Sequence, residues 1–273
     1  MDADSDCDDN DDDNDDDNLI NKITIKIIPI HISANIKAHD RLDTLILESL
    51  RHSEENLFDN DILVIAHKVV SKAEGRIVNL DDIKPSSKSL AIAKENDKDP
   101  RIVELILNES KDIIRLSKGV IIVETKHGFI CANAGVDQSN VEYSSNHAVL
   151  LPIDADSSVK KIRDSLRKRI GKDIAVIITD TFGRPFREGQ TNVAIGIAGI
   201  EPIMSYIGTT DMYGKKLRVT EIAVVDEIAS AAELAMGKSE RVPVVIIRGY
   251  KYQKTERSEI SKLIRSKEKD LFR

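Results

Sequence analysis

The chain has 273 residues, 41% of them hydrophobic and none of them Trp, and a formal net charge of −7, enough for one large domain or two modest ones. Two cysteines, Cys7 and Cys131, make no disulfide framework, and no apolar run approaches the roughly 18 residues of a membrane span. An acidic N-terminus is neither a secretory nor an Arg-rich leader, so the expected compartment is the cytoplasm.

Residues 1–18 hold eleven Asp and no Lys or Arg; setting those eleven apart from the 47 acidic residues leaves 36 against 40 basic ones, a net of +4. This tail cannot bury apolar surface and is read as disordered. The remainder, 19–273, reads as a single domain with room for two subdomains. A slightly basic body suits anionic small ligands such as nucleotides, and equally suits no ligand in particular. It lacks the basic face and interleaved aromatics of a nucleic-acid binder.

In chain order, residues 24–30 form a β-rich run. Residues 41–51 carry apolar side chains at helical spacing, with Asp40 as a candidate cap. DILVIA, 61–66, reads as a buried strand, and residues 71–76 as a turn. Residues 87–94 and 100–116 read as helices, Pro100 opening the second and Gly119 lying past its end. Residues 120–125 read as a strand, 128–140 as an irregular loop, 148–151 as a short strand, and 157–170 as a basic helix ended by Gly171. Residues 174–179 are a strong buried strand, with 180–190 expected as a loop. The apolar run 191–200 stops before Pro202. Residues 220–236 read as a long helix followed by Gly237, 242–248 as a strand, and 256 onward as helical. Strands and helices alternate throughout, which predicts an α/β or mixed α+β fold with mixed sheets.

Three segments carry chemistry. The first, 131–140, CANAGVDQSN, offers small residues that let backbone approach a ligand, the carboxylate of Asp137 and the amide of Asn140; it also reads as an Asx-rich surface turn. The second, 177–192, IITDTFGRPFREGQTN, runs a buried strand into Asp180, Thr181, two glycines and two arginines. The carboxyl end of a buried strand is where α/β folds place ligands. Adjacent Asp and Thr oxygens suit Mg²⁺ or Mn²⁺, and Arg184 and Arg187 suit phosphate or carboxylate. A polar turn with surface ion pairs is the alternative. The third, 66–76, AHKVVSKAEGR, could place Lys72 against phosphate, or could be solvated surface.

No Walker A loop, H-E-x-x-H, nucleophile elbow or G-x-G-x-x-G occurs. His67, His127 and His147 lack metal-ligand spacing. Cys131 reads as a packed residue rather than a nucleophile.

Taken together, SKAEGRI, GFICANAGVDQSNV, LLPIDAD, TDTFGRPFREGQTNVAIGIAGI, DMYGKKL and VTEIAVVDEIASAAELAMGK resemble the coenzyme F420-0:γ-glutamyl ligase family, in its order and over nearly everything after the tail. The resemblance implies a mixed α/β enzyme that forms an intertwined homodimer and uses GTP, Mg²⁺ or Mn²⁺ (about two cations per subunit) and K⁺. The apolar run 191–200 is a candidate to supply pairing between its subunits. Such an enzyme joins L-glutamate to coenzyme F420-0 and can add a second, γ-linked glutamate. It implies metal positions at Asp137, Asp180 and Thr181. Nucleotide contacts would fall on Ser33, Ala34, Asn35, Ile36, His67, Lys72, Asn140 and the stretch at Gly237 and Lys238. Lys72, Arg184 and Arg187 are the candidates to stabilise the transferring phosphoryl group. Ile32, Ser33, Ala34 and His39 stand where the family often has Gly-Leu-Pro and a Gly before Asp, and His67 where a small hydroxyl residue can occur. A metal-dependent nucleotide hydrolase or phosphotransferase, or a silent nucleotide-binding module, is the competing class.

Overall fold

The computed structural model describes residues 24–139 and 146–271; the acidic tail, with the reading placed on it, and Asn140 lie outside them. The first half of the chain runs β1 (Lys26–Ile30), α1 (Leu42–His52), β2 (Ile62–Ala66), α2 (His67–Ala73), β3 (Ile77–Asn79), α3 (Ser87–Asn96), α4 (Pro100–Asn108), β4 (Ser110–Ser117), β5 (Val120–Thr125) and β6 (Ile130–Ala132). The second half runs β7 (His147–Val149), α5 (Ala155–Ile170), β8 (Ala175–Arg184), β9 (Arg187–Ala198), β10 (Met204–Ser205), β11 (Glu221–Ile222), α6 (Val224–Met236) and β12 (Val244–Arg248). Mixed α/β architecture is therefore present, as expected.

A five-stranded sheet ordered β1-β12-β2-β8-β9 forms the centre. Only β2 and β8 pair in parallel, Ile62 opposite Ala175 through Ala66 opposite Thr179; the other neighbours are antiparallel. Side chains alternate between its faces. Leu63, Ile65, Val176, Ile178, Val244 and Ile246 meet Leu42, Ile46 and Leu50 of α1 and Val159 and Leu166 of α5 on one side. Val64, Ile177, Val245 and Ile247 meet Val224, Ile228, Ala232 and Met236 of α6 on the other. Cover on both faces explains why β2 and β8 are apolar without alternation. α5 sits so close to β9 that a Cβ on Gly196 would lie 2.6 Å from that of Ala155. A second core packs α3 and α4 on the three-stranded β4-β5-β6 sheet through Ile92, Val103, Ile106, Ile121 and Val123.

Several expected elements differ, among them the loop expected over 128–140, which contains β6, and the helix expected over 220–236, which starts at Val224 after β11. The helix expected over 100–116 stops at Asn108, and Ser110–Ser117 turns back as β4 to pair with β5; the β-branched pair Ile113-Ile114 and the left-handed Gly119 (φ 81°) favour that hairpin. Residues 67–73, of which 71–73 read as part of a turn, are α2. The loop expected over 180–190 is a continuation of β8 into a hairpin with β9. The segment from residue 256 contains only short 3₁₀ turns, Ile260–Leu263 and Lys267–Lys269. Asp40 does not cap α1: its carboxylate accepts from the Lys37 N–H at 2.7 Å, and Arg41 is the N-cap.

The apolar run 191–200 was also a candidate for pairing between subunits. Its side chains are buried under α5 and α6, and its outer edge is capped within the chain. Asp226 accepts from the Ala194 N–H at 2.9 Å, Asp156 from the Ile197 N–H at 2.8 Å, and Ser258 bonds both backbone groups of Ile200. An edge so covered is closed to strand addition. No helix among the described residues is long and apolar enough to cross a membrane.

Candidate active site

At the carboxyl ends of the parallel pair, where such sheets leave a crevice, opens a cavity of about 910 Å³. β2 ends at Ala66, and α2 begins at once with His67, Lys68 and Lys72 on the wall. β8 carries Asp180 and Thr181 into it beyond the buried Ile177-Ile178-Thr179. The segment after β1 lends Ser33, Ala34, Asn35 and Ile36, and the end of α6 lends Glu233, Gly237 and Lys238. Asp137 reaches the rim from a loop fastened to Val149 by two backbone hydrogen bonds of 3.0 and 2.7 Å.

Asp180 is held at its root. Its Oδ1 accepts from the Thr181 N–H at 2.7 Å and lies 3.2 Å from Nε2 of His67. That ring is 2% exposed, and Nε2 lies off the line required for a hydrogen bond, leaving it unpaired among the described residues; Nδ1 is 3.4 Å from the Ser71 hydroxyl. The Thr181 hydroxyl donates to Oδ1 of Asn192 at 2.7 Å, and Asn192 Nδ2 donates to Glu233 at 2.9 Å. Lys238 donates to the Thr181 hydroxyl at 2.9 Å and pairs with Glu233. One chain of contacts thus links β8, β9 and α6.

Asp137 is held by different means. Lys68 lies 2.7 Å from Oδ2, and Ser139 donates its N–H at 2.6 Å and its hydroxyl at 3.1 Å. Burial opposes ionisation, but the bonds from Lys68 and Ser139 overcome it and hold the carboxyl below its usual range. Cys131 shows the reverse: burial, and then the nearby Asp180 charge, push its thiol up to about 12. It is a packed, neutral thiol, as its sequence context suggested.

Among the described residues no three His, Cys, Asp or Glu side chains converge as a metal-holding group. The donor chemistry nevertheless fits a hard cation. Asp180, Thr181, Asp137 and Glu233 present oxygen atoms to one cavity, and oxygen sets suit Mg²⁺ and Mn²⁺. The ammonium groups of Lys68 and Lys238 rest on those same oxygens, marking where positive charge is stabilised.

The cleft gathers Ser33, Ala34, Asn35, Ile36, His67, Lys72, Asp137, Asp180, Thr181, Gly237 and Lys238 from the sequence-derived set. Arg184 and Arg187 are outside its lining, opposite one another at the end of the β8–β9 hairpin. Lys68, Ser139, Asn192 and Glu233 were not singled out. All four stood inside quoted segments, but Glu233 was masked there by the helical pattern of α6, one turn after Ser230, whose hydroxyl donates to the Asn192 carbonyl at 2.8 Å.

Residues 31–249 match the family described as F420-0:Gamma-glutamyl ligase. The chain belongs to this family. It is 49% identical over 241 residues to the coenzyme F420:L-glutamate ligase of Methanothermobacter thermautotrophicus, covering 87% of this chain and 94% of that one. It is 44% identical over 255 residues to the protein so named from Methanopyrus kandleri, covering 92% and 98%. With the one from Methanocaldococcus jannaschii it shares 45% over 216 residues, 79% of this chain and 85% of that one. The γ-glutamyl ligase match spans every segment that lines the cleft.

Proposed function

We propose that this chain is a GTP-dependent ligase that joins L-glutamate to the carboxylate of coenzyme F420-0, and that it can add a second, γ-linked glutamate. Family membership supports the reaction class. The observation that carries the site is the meeting of Asp180 and Thr181, at the end of a buried parallel strand, with Asp137, Lys68, Lys72 and Lys238 in one cavity.

The chemistry explains the need for such a cleft. A carboxylate and an amine do not condense unaided. An oxygen of the F420-0 carboxylate attacks the γ-phosphorus of GTP, forming an acyl phosphate as the bond to GDP breaks. The glutamate amine then attacks the acyl carbon, and phosphate leaves. Bound Mg²⁺ or Mn²⁺ supplies charge neutralisation for the phosphate oxygens, with Asp137, Asp180 and Thr181 the residues to hold it; K⁺ would join as a further cation. Lys72 and the backbone of 33–36 face the nucleotide. Asn192 and Glu233 orient Thr181 and Lys238, and the covered sheet beneath excludes water from the root of the site.

Mass spectrometry of F420-0 incubated with the protein, L-glutamate, GTP and Mn²⁺ tests this. The expected product is heavier by one or two glutamyl residues, with phosphate released only when both F420-0 and glutamate are present. Phosphate release without either acceptor would instead establish a nucleotide hydrolase.

A homodimer belongs to the same proposal. With the edge at 194–200 closed to strand addition, the surface that supports it is the arm from β10 to β11, where Met212 is 88% and Tyr213 87% exposed. Such apolar exposure marks contact surfaces. Light scattering should give twice the chain mass; a fully active monomer removes the dimer.

A further inference from the structure

Two residues that line the cleft each carry a buried polar atom with no hydrogen bond among the described residues: Nε2 of His67 and Oδ1 of Asn133. Buried polar atoms are nearly always satisfied, by protein, water or ligand. The His67 nitrogen at least faces a carboxylate, 3.2 Å from Asp180. No described donor bonds the Asn133 oxygen, so the cleft holds an acceptor for an N–H group that the fold does not supply.

Packing holds that acceptor in place. Asn133, Ala134 and Gly135 are successive left-handed residues, with φ of 53°, 55° and 69°. Asn tolerates this region, whereas Ala enters it only when its surroundings compel it. The Ala134 methyl is 2% exposed within the second core. A Cβ on Gly135 would lie 2.7 Å from Leu151, and the Val136 N–H bonds the Asn133 carbonyl at 2.9 Å. The core therefore fixes one side of this turn while Asn133 stands in the wall of the cleft. The segment it belongs to runs from one carboxylate to the other. Two residues before it, the Cys131 thiol lies close enough to Asp180 to feel its charge, and β6 packs against β8. Four residues after it comes Asp137.

We propose that the carboxamide of Asn133 seats the amine of L-glutamate, Oδ1 accepting one of its N–H groups, a role that rests on the ligase reading above. Distance favours this donor over the others in the reaction. The amine must come within about 3–3.5 Å of the acyl carbon, and that carbon is two bonds from the transferred phosphorus. A group that holds the amine through a hydrogen bond of about 2.9 Å therefore stands within about 9 Å of that phosphorus, among the residues that hold the phosphates. The guanine of GTP and the deazaflavin of F420-0 also carry N–H groups. Each lies about ten or more bonds from the same phosphorus, about 12 Å or more when extended. An amide oxygen accepts an N–H but is no base at neutral pH, so it aims the nitrogen lone pair without taking a proton. The C–N bond forms from that pair, the bond from the acyl carbon to the phosphate oxygen breaks, and the surplus proton leaves with phosphate.

Asn133→Gly tests the seat, since it removes the amide and suits the left-handed backbone, leaving the urea midpoint near native. KM for L-glutamate should rise about tenfold or more, the effect of one lost hydrogen bond to a substrate amine. KM for GTP, KM for F420-0 and the Mn²⁺ requirement should not move. Hydroxylamine in large excess, which needs no seat, should still trap the acyl phosphate as a hydroxamate at the native rate. A native KM for glutamate in the folded variant overturns the seat. So does a parallel rise in KM for GTP or in the Mn²⁺ required, which would make Asn133 a support for the loop that carries Asp137. An equal fall in hydroxamate formation overturns it as well, by placing Asn133 in phosphoryl transfer. Absence of both glutamylated product and hydroxamate from the unaltered chain sinks the ligase reading itself, and the seat with it.

Discussion

The two ends of the central sheet treat charge differently. At the end away from the cleft, Arg248 grips Asp61 through Nε at 3.0 Å and Nη2 at 2.9 Å and also reaches the Asn56 carbonyl, and Asp61 is 1% exposed. Arg163, 3% exposed, bonds the Ile174 carbonyl, Asp173 and Glu256. Asp43 accepts from Arg41, Ser165 and Arg169. At the cleft end Thr181 meets the long-stemmed Lys238, Asp137 meets Lys68, and the buried His67 nitrogen beside Asp180 has no hydrogen bond among the described residues. Charges at the first end are satisfied by groups the fold itself fixes. Those at the second have partners that an incoming cation or phosphate can displace.

The sharpest break of this contrast is Arg248→Met. It leaves Asp61 buried and unpaired, which should lower stability by about 3–5 kcal/mol in urea titration, while the ligation rate per folded molecule holds. A variant with native stability and a slow rate would erase the distinction between the ends.

Asp180→Asn and Asp137→Asn invert that pattern. Each should cut ligation about a hundredfold or more, about 2.7 kcal/mol of barrier, and weaken metal-dependent nucleotide binding in parallel, with urea midpoints near native. Near-native rates and metal dependence in both folded variants would dismiss these positions as cation ligands.

Acid sharpens the contrast next. Burial raises the Asp43 carboxyl, but hydrogen bonds from Arg41, Ser165 and Arg169 more than offset it and hold it at about 2, against 3.8 in an unfolded chain. A depressed carboxyl stabilises the fold fully above the unfolded value and less as pH falls through the folded one. Asp43→Asn should therefore lose about 2 kcal/mol of pH-dependent stability at pH 6. By pH 2.5 about a third of that difference should remain; a gap independent of pH would show that the carboxylate charge is immaterial there.

The smallest effect is expected from deleting residues 1–18. Steady-state ligation should stay within about tenfold, or about 1.4 kcal/mol, and a greater loss would give the acidic segment a part in catalysis.

The acidic centre of this site was legible because a buried run, Ile174 to Thr179, gives way abruptly to a carboxylate and a hydroxyl, a pattern that places Asp180 just past the buried part of the strand, although β8 itself runs on to Arg184. Gly237 and Lys238 entered the site only through the resemblance; the residues alone mark Gly237 as a helix stop and do not say what the chain meets after it. The hairpin beyond Asp180 was not legible, because Gly183, Pro185 and Gly189 are punctuation in a linear reading, and only pairing across to 187–192 makes them a ladder. β4 is hidden in the sequence because Ile106, Ile113 and Leu116 extend the apolar spacing of α4; tertiary pairing with β5 overrides that local pattern. Lys68 was passed over for Lys72 because nothing local shows that the first turn of α2 faces a loop carrying Asp137, 69 positions later.

The place of β12 bears on how the protein is made. This strand lies between β1 and β2, bonded to both, although residues 67–243 separate it from even the nearer of the two. During synthesis β1 has no lateral neighbour, and β2 none on that side, until residues 244–248 leave the ribosome. Pairings so distant in sequence form slowly and expose strand edges meanwhile. A polypeptide terminated before residue 244 would therefore be a chain with its central strands open to aggregation, rather than a smaller enzyme.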